Sequence, residues 1–129
     1  MSAQHFGSCM CGSVRFVINC DLSQPTFCHC TKCRKQSGHV FASAHIPKTH
    51  LEVYGQADLA WYLTSEEVRR GFCRTCGSSL FWEAMHRDWI GIAMGAFDGP
   101  TGTKAKTHMF VGTKGDYYEI TDRLAQHQG

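Results

Sequence analysis

The sequence has no long hydrophobic run, little net charge and almost no helical periodicity, and each absence excludes a class of protein. The apolar runs are only a few residues long, whereas a membrane-spanning helix needs about 20. Lys and Arg exceed Asp and Glu by only 13 − 11 = +2, which is too little charge to indicate nucleic-acid binding. We therefore expect a protein that neither crosses a membrane nor binds nucleic acid.

The first residues also lack the features of a secretory signal. Residues 1–7 have no positively charged start and no apolar segment. The chain shows no internal repeat, linker or low-complexity segment, and its 43% hydrophobic and 19% charged residues are typical of a globular protein. We therefore expect one domain over residues 1–129, located in the reducing cytoplasm.

Short segments of alternating hydrophobicity, separated by turn residues, dominate the chain. They predict strands at 14–18, 26–28, 40–46, 51–54, 59–63, 80–82, 89–94 and 108–111, with 59–63 a candidate edge strand. Residues 66–70 are interpreted as a polar connection or short strand, and 120–128 as a polar tail with helical character. One helical turn is predicted at 31–36, ended by Gly38. The pattern indicates an all-β domain with short helical turns.

Eight cysteines are the most informative feature of the sequence. The clustered spacing and the missing signal favour metal binding over a disulfide framework. Seven of them form a C-x-C pair, a C-x-C-x-x-C segment and a C-x-x-C-G segment; these are Cys9 and Cys11, then Cys28, Cys30 and Cys33, then Cys73 and Cys76. Because thiolates are soft ligands that suit Zn²⁺, the sequence predicts bound zinc.

The first and third motifs together supply four thiolates, which is enough to close a tetrahedral zinc site. We expect this site to contain Cys9, Cys11, Cys73 and Cys76. Since Cys11 and Cys73 are 73 − 11 = 62 residues apart, such a metal would tie the first strand to the middle of the sheet and add its binding energy to folding. The alternative is two unrelated pairs of buried thiols.

The middle motif has no fourth cysteine at motif spacing. Three interpretations of Cys28, Cys30 and Cys33 remain open. In the leading one, water or substrate fills the fourth position of a zinc ion, as in catalytic sites. In the second, Cys20 or a histidine closes the site, although Cys20 is most simply an ordinary buried thiol. In the third, the thiols hold no metal and are redox-active.

The remaining polar residues are weaker signals. Arg34 and Lys35 follow the middle motif and are candidates for binding a substrate carboxylate, the alternative being solvated surface. Arg69 and Arg70 are interpreted as solvated surface. His29 lies between two cysteines of the motif, where we expect a role beside the ligands or in solvent rather than direct ligation. The other assignments are core or pocket wall for His45 and His108, a turn for Asp98, and core for Trp61, Trp82 and Trp89.

The three cysteine motifs in this order resemble those of the glutathione-dependent formaldehyde-activating enzyme family, which includes centromere protein V-like domains. The similarity covers residues 7–16, 28–35, 72–80 and 108–111. The family often has a tryptophan near the C-terminus, where this chain has Tyr117 and Tyr118.

The resemblance implies tent-like antiparallel sheets and two Zn²⁺ ions per chain. It implies a structural zinc on Cys9, Cys11, Cys73 and Cys76 and a second, catalytic zinc on Cys28, Cys30 and Cys33. It also implies a carbon–sulfur lyase activity, which joins formaldehyde to the thiol of glutathione.

Our leading hypothesis is therefore an enzyme for a thiol–aldehyde adduct, whose partners are a glutathione-like thiol and an aldehyde. The first alternative is a non-catalytic zinc module that binds a protein or a small thiol metabolite. The second is a nucleic-acid or cytoskeletal binder, which the small net charge argues against.

Overall fold

Strands account for most of the regular structure in residues 4–129, the part of the chain that the computed structural model describes. These residues form eleven strands and one α-helix, with four single turns of 3-10 helix. The elements are β1 (His5–Ser8), β2 (Arg15–Ile18), β3 (Thr26–Cys28), α1 (Thr31–Ser37), β4 (Phe41–Pro47), β5 (Leu51–Tyr54), β6 (Leu59–Leu63), β7 (Val68–Cys73), β8 (Ser79–Ala84), β9 (Trp89–Ala93), β10 (Thr107–Met109) and β11 (Ala125–Gln126). The predicted all-β class is confirmed.

The strands form two sheets. The smaller sheet has the order β1-β2-β5, and the larger has the order β11-β10-β3-β4-β9-β8-β7-β6. Neighbouring strands are antiparallel except that β10 runs parallel to both β3 and β11. Strand β6 is at the edge of the larger sheet, as the sequence predicted.

The core joins the two sheets through aromatic contacts. The ring of Phe16 on β2 packs edge-on against Phe81 on β8, with ring centroids 5.5 Å apart. Both side chains are almost fully buried, which is worth about 1.5–3 kcal/mol each. Gly7 permits this packing, because a Cβ atom at that position would lie 2.0 Å from the Phe16 ring.

Helix α1 begins and ends close to the predicted positions. Its N-cap is Cys30, whose sulfur accepts a hydrogen bond from the backbone N–H of Cys33 at 3.4 Å. Gly38 ends the helix in the left-handed conformation, at φ 89°, and donates its N–H to the carbonyl of Arg34. No helix within residues 4–129 is long and apolar enough to cross a lipid bilayer.

The C-terminal region differs from the prediction. Residues 120–128 contain no helix; they contribute β11, which pairs with β10. The backbone N–H of His127 donates to the carbonyl of His108, and the N–H of Val111 donates to the carbonyl of His127. These hydrogen bonds join segments that are distant in sequence, so no local pattern could reveal them. Strand β1 was likewise not predicted, because Phe6 is its only large apolar residue and it ends in Gly7 and Ser8, which are typical of turns.

Candidate metal centres

The first and third cysteine motifs meet where two turns approach each other. Cys9 and Cys11 lie between β1 and β2, whereas Cys73 ends β7 and Cys76 follows in the turn before β8. All four sulfur atoms lie within 4.8 Å of one another. Cys9 and Cys73 are buried, with 3% and 0% of their surface exposed. We call these residues the four-cysteine cluster; their arrangement suits a tetrahedral metal ion wrapped by protein.

Backbone amides point at two sulfurs of this cluster. The N–H of Val14 donates to Cys9 Sγ at 3.3 Å. The N–H groups of Thr75 and Cys76 donate to Cys73 Sγ, each at 3.4 Å. Such donors stabilise thiolates without bringing a further charge into the site.

Two serine hydroxyls complete the surroundings of the four-cysteine cluster. Ser13 Oγ lies 3.1 Å from Cys11 Sγ, and Ser78 Oγ lies 3.2 Å from Cys76 Sγ. The hydrogen bond from Ser78 is the largest of several effects that lower the pKa of the Cys76 thiol to about 5. Cys76 is therefore suited to holding a thiolate near neutral pH.

The middle motif forms a second group of sulfurs at one end of α1. Cys28 ends β3, Cys30 caps the helix and Cys33 is buried in its first turn. Their sulfur atoms lie within 4.8 Å of one another, and in residues 4–129 no other Cys, His, Asp or Glu joins the group. We call it the three-cysteine cluster. Cys20 belongs to neither cluster and packs against the hydrophobic core.

A buried arginine contacts the three-cysteine cluster. Arg70 has only 4% of its surface exposed, and its Nη1 and Nη2 donate to Cys33 Sγ at 3.4 and 3.5 Å. Its Nε has no hydrogen-bond partner. The interpretation of Arg70 as solvated surface is therefore wrong.

Arg69, the neighbour of Arg70, shows why the prediction of solvated surface failed for one arginine and not for the other. Successive side chains of a strand point to opposite faces of a sheet. Arg69 points outward, where its Nε donates to Glu83 at 2.7 Å and its guanidinium lies 3.9 Å from the ring centroid of Trp61. Arg70 consequently points to the inner face. An Arg-Arg pair placed within a strand is a signal that could have identified one buried arginine.

Charge and hydrogen bonding shift the pKa values of two thiols of the three-cysteine cluster in opposite directions. A hydrogen bond from Cys28 and the guanidinium of Arg70 together lower the pKa of Cys33 to about 6, although burial opposes them. The same hydrogen bond to Cys33 and burial raise the pKa of Cys28. Cys33 is thus the sulfur that most readily carries negative charge in this cluster.

A cavity of about 310 Å³ adjoins the three-cysteine cluster. The three cysteines and Arg70 form part of its lining, and the rest combines aromatic side chains with hydroxyl-bearing ones. Trp89 stacks between His45 and Trp82, with ring centroids 4.2 and 5.6 Å away. Trp82 and Trp89 are therefore half-buried residues of the cavity wall, and Trp82 also packs against the core. Trp61 packs against the core and Phe81 outside the cavity.

Phe110 lines the same cavity from an unusual backbone conformation. Its φ is 58°, in the left-handed region that costs a side chain roughly 1–2 kcal/mol. The N–H and the hydroxyl of Thr113 donate to its carbonyl at 3.2 and 3.1 Å, which holds this conformation. Phe110 as a whole is 42% exposed beside the cavity.

His29 is the start of a buried hydrogen-bonded chain behind the three-cysteine cluster. Its Nδ1 lies 2.6 Å from the hydroxyl of Tyr118, and its Nε2 lies 2.8 Å from Nδ1 of His108. Nε2 of His108 in turn lies 2.9 Å from a carboxylate oxygen of Asp122. With 1% of its surface exposed, His29 has no role in solvent, and it holds the backbone between two cysteines in place. Sequence reasoning missed Tyr118 and Asp122, for which no local signal exists.

The predicted substrate residues lie beside the cavity lining rather than in it. Arg34 is half-buried and Lys35 is exposed on α1, and neither lines the cavity. Lys32 does line it, and its Nζ donates to the carbonyl of Thr64 at 3.1 Å. A role for Arg34 and Lys35 in binding substrate stays a prediction.

Both clusters pass the chemical test for a thiophilic divalent metal. Each gathers sulfur atoms alone, which favours zinc over the oxygen-seeking magnesium and calcium. All eight cysteines, which lie within the described residues, are free thiols rather than disulfides. The two clusters are thus consistent with two zinc sites.

Comparison with known proteins agrees with this chemistry. No curated protein matches the sequence. A Rhodobacter sphaeroides protein, whose crystal structure was determined as a structural genomics target, has the same fold. It superposes with a TM-score of 0.63 at 24% sequence identity, and the match covers 75% of this chain and 91% of that one. The family model described as glutathione-dependent formaldehyde-activating enzyme matches residues 4–113, which include every cysteine of both clusters. The chain therefore belongs to the glutathione-dependent formaldehyde-activating enzyme family.

Proposed function

We propose that this protein is a zinc-dependent enzyme of the carbon–sulfur lyase type that acts on thiol–aldehyde adducts. The pair that the family name suggests is glutathione and formaldehyde. The observation that carries the proposal is a group of three cysteines bordering a cavity, with no fourth protein ligand within the described chain. Catalytic zinc sites have three protein ligands and an open position in this way.

The two clusters would have different roles. The four-cysteine cluster would hold a structural zinc, because four thiolates leave no open position and Cys9 and Cys73 are buried. The three-cysteine cluster would hold the zinc that meets substrate, because the cavity opens beside its sulfurs.

The chain's own residues prepare the second site in two ways. A bound zinc would act there as a Lewis acid toward an aldehyde oxygen or a thiolate sulfur. Three thiolates carry one more negative charge than a divalent cation neutralises, and the guanidinium of Arg70 compensates that charge from within hydrogen-bond distance of Cys33. His29 holds the backbone between Cys28 and Cys30, so that these two sulfurs keep their spacing.

Basic residues of α1 supply the means to orient a peptide thiol. Lys32 lies on the cavity lining, and Lys35 is exposed on the same helix. Glutathione carries two carboxylates that such side chains would attract. In the reaction, the thiol sulfur bonds to the aldehyde carbon, the C=O double bond becomes a single bond, and the proton of the thiol ends on the oxygen.

The test is a rate measurement by exchange NMR. Formaldehyde and glutathione are incubated with zinc-loaded protein, and adduct formation is compared with buffer. We expect acceleration with the parent and with Cys20→Ser, a cysteine outside both clusters, and none with Cys30→Ser. Zinc bound at both clusters without acceleration would contradict the proposal and would favour the non-catalytic zinc module.

The same chemistry bears on location. Cysteines bind zinc as thiolates and cannot do so once they are oxidised to disulfides, which are rare in the cytosol. We therefore propose that the protein works in a reducing compartment such as the cytoplasm.

A further inference from the structure

The cavity beside the three-cysteine cluster is too large and too apolar for the substrates that the family name suggests. Its volume of about 310 Å³ is roughly twice that of an apolar cavity that accommodates benzene. Formaldehyde, with one carbon and one oxygen, would leave most of this space empty. Glutathione has charged groups whose burial against apolar walls would be costly. The dimensions therefore indicate a different occupant.

The walls indicate what that occupant is. The rings of His45, Trp89 and Trp82 are stacked nearly parallel, at interplanar angles of 22° and 14°, so they cover much of one another's faces and offer mainly ring edges to the cavity that they line. Phe41 and Phe110 add two phenyl rings to the lining. Aromatic walls favour a planar aromatic guest, which they contact by offset-stacked or edge-to-face packing.

The two cationic side chains of the cavity lining are not free to bind a charged guest deep in the cavity, because Arg70 already makes hydrogen bonds and Lys32 is exposed to solvent. Arg70 is buried and donates to Cys33, which leaves only its Nε without a partner. Lys32 is exposed and donates to a backbone carbonyl. A charged peptide therefore fits outside the cavity along α1, whereas an uncharged group fits within it.

We propose that the cavity binds a compact aromatic group of the substrate, so that the aldehyde of the reaction is aromatic rather than formaldehyde. This inference rests on the proposed function. The thiol adds its sulfur to the aldehyde carbon, and its proton goes to the oxygen, so the step is balanced without an oxidant or reductant. The product is a hemithioacetal whose ring lies between the aromatic walls and whose peptide lies along α1.

Phe110 contributes to the preference for an aromatic aldehyde at the solvent-exposed side of the cavity. The residue is 42% exposed, has a left-handed backbone conformation and lies on the cavity lining. Strained backbone of this kind persists where the surrounding structure requires it, and it is frequent at ligand sites. We assign Phe110 to the contact with the aromatic guest.

Binding is tested without the reaction, with benzyl alcohol and methanol as unreactive probes of the zinc-loaded protein. Saturation-transfer NMR and tryptophan fluorescence should show saturable binding of benzyl alcohol at least about tenfold tighter than that of methanol. Trp89→Ala should weaken it at least about fivefold, whereas Trp61→Ala, outside the cavity, should leave it unchanged. Should Trp89→Ala fail to fold, Phe110→Asn at the exposed position should still weaken binding, since Asn tolerates φ > 0.

A second experiment measures the rate of reaction of glutathione with benzaldehyde and, separately, with formaldehyde. We expect kcat/KM for benzaldehyde to be at least about tenfold higher. If formaldehyde reacts faster than buffer and benzyl alcohol does not bind, the aromatic inference is overturned and the proposed function stands. If benzyl alcohol binds as expected and neither aldehyde is accelerated, the proposed function is overturned, and with it the assignment of the ring to an aldehyde.

Discussion

The two cysteine clusters use the same ligand atoms but differ in how the chain delivers them. The four-cysteine cluster joins two turns 62 residues apart, so its sulfurs meet only when β1, β2, β7 and β8 have assembled. The three-cysteine cluster takes its sulfurs from six consecutive residues, at the end of β3 and the start of α1. We therefore expect that a metal in the first cluster would add to the folding free energy, whereas a metal in the second could leave a folded chain.

Their surroundings differ as well. Neutral N–H and O–H groups surround the four-cysteine cluster. A guanidinium and a cavity border the three-cysteine cluster. The comparison teaches that the two clusters differ in closure: protein surrounds the first, whereas a cavity leaves the second open to a ligand.

The largest expected effect is on stability when the four-cysteine cluster loses a ligand. Cys73→Ser should cost about 4 kcal/mol or more, because it removes a buried ligand and the metal energy coupled to folding. We expect the melting temperature to fall by about 10 °C or more in calorimetry. Cys20→Ser is the control, since Cys20 belongs to neither cluster. A Cys73→Ser protein that loses one zinc and melts like the parent would contradict a structural role.

Loss of a ligand from the three-cysteine cluster should affect metal content without unfolding the protein. In Cys30→Ser the hydroxyl can still cap α1, because serine is a favoured N-cap residue. Metal analysis should show one zinc fewer per chain, and circular dichroism should show native melting within about 3 °C. If this variant unfolds as extensively as Cys73→Ser, the division between the two clusters is wrong.

Removal of the buried guanidinium should weaken metal binding at one cluster only. Arg70→Met deletes the two hydrogen bonds to Cys33, and such partners of metal ligands are worth about 10–100-fold in affinity. Competition with a chelator should show this loss for the weaker-binding zinc. Arg69→Met is the matched control, because Arg69 pairs with Glu83 away from the cysteines. Equal zinc affinity in both variants would remove Arg70 from the metal site.

The smallest expected effect comes from the far end of the histidine chain. Asp122→Ala removes the acceptor of His108 Nε2, whose partner His29 lies between two cysteines of the three-cysteine cluster. We expect the imidazole ¹⁵N shifts of both histidines to move in NMR, while zinc affinity falls at most about threefold. Unchanged histidine shifts would show that the chain is not coupled in solution.

Local patterns were sufficient for most of the strands and for helix α1, but not for β1 or β11. The alternation at 51–54 and 59–63 predicted β5 and β6 with their observed bounds, and the helical turn before Gly38 was also predicted. These elements depend on period and turn residues, which are properties of neighbouring positions. The parallel pairing of β10 with β3 and β11 could not be predicted, because no local signal specifies which distant strand is the neighbour.

The sequence by itself determined that this is a β protein with seven cysteines grouped in three motifs, because spacing within a motif is a local property. The tertiary structure alone decided what surrounds the sulfurs. Arg70 meets Cys33 across 37 residues, and Tyr118 meets His29 across 89. Such contacts depend on strand order and register, which arise from packing of the whole chain, so the chemistry around the second cluster became visible only in the fold.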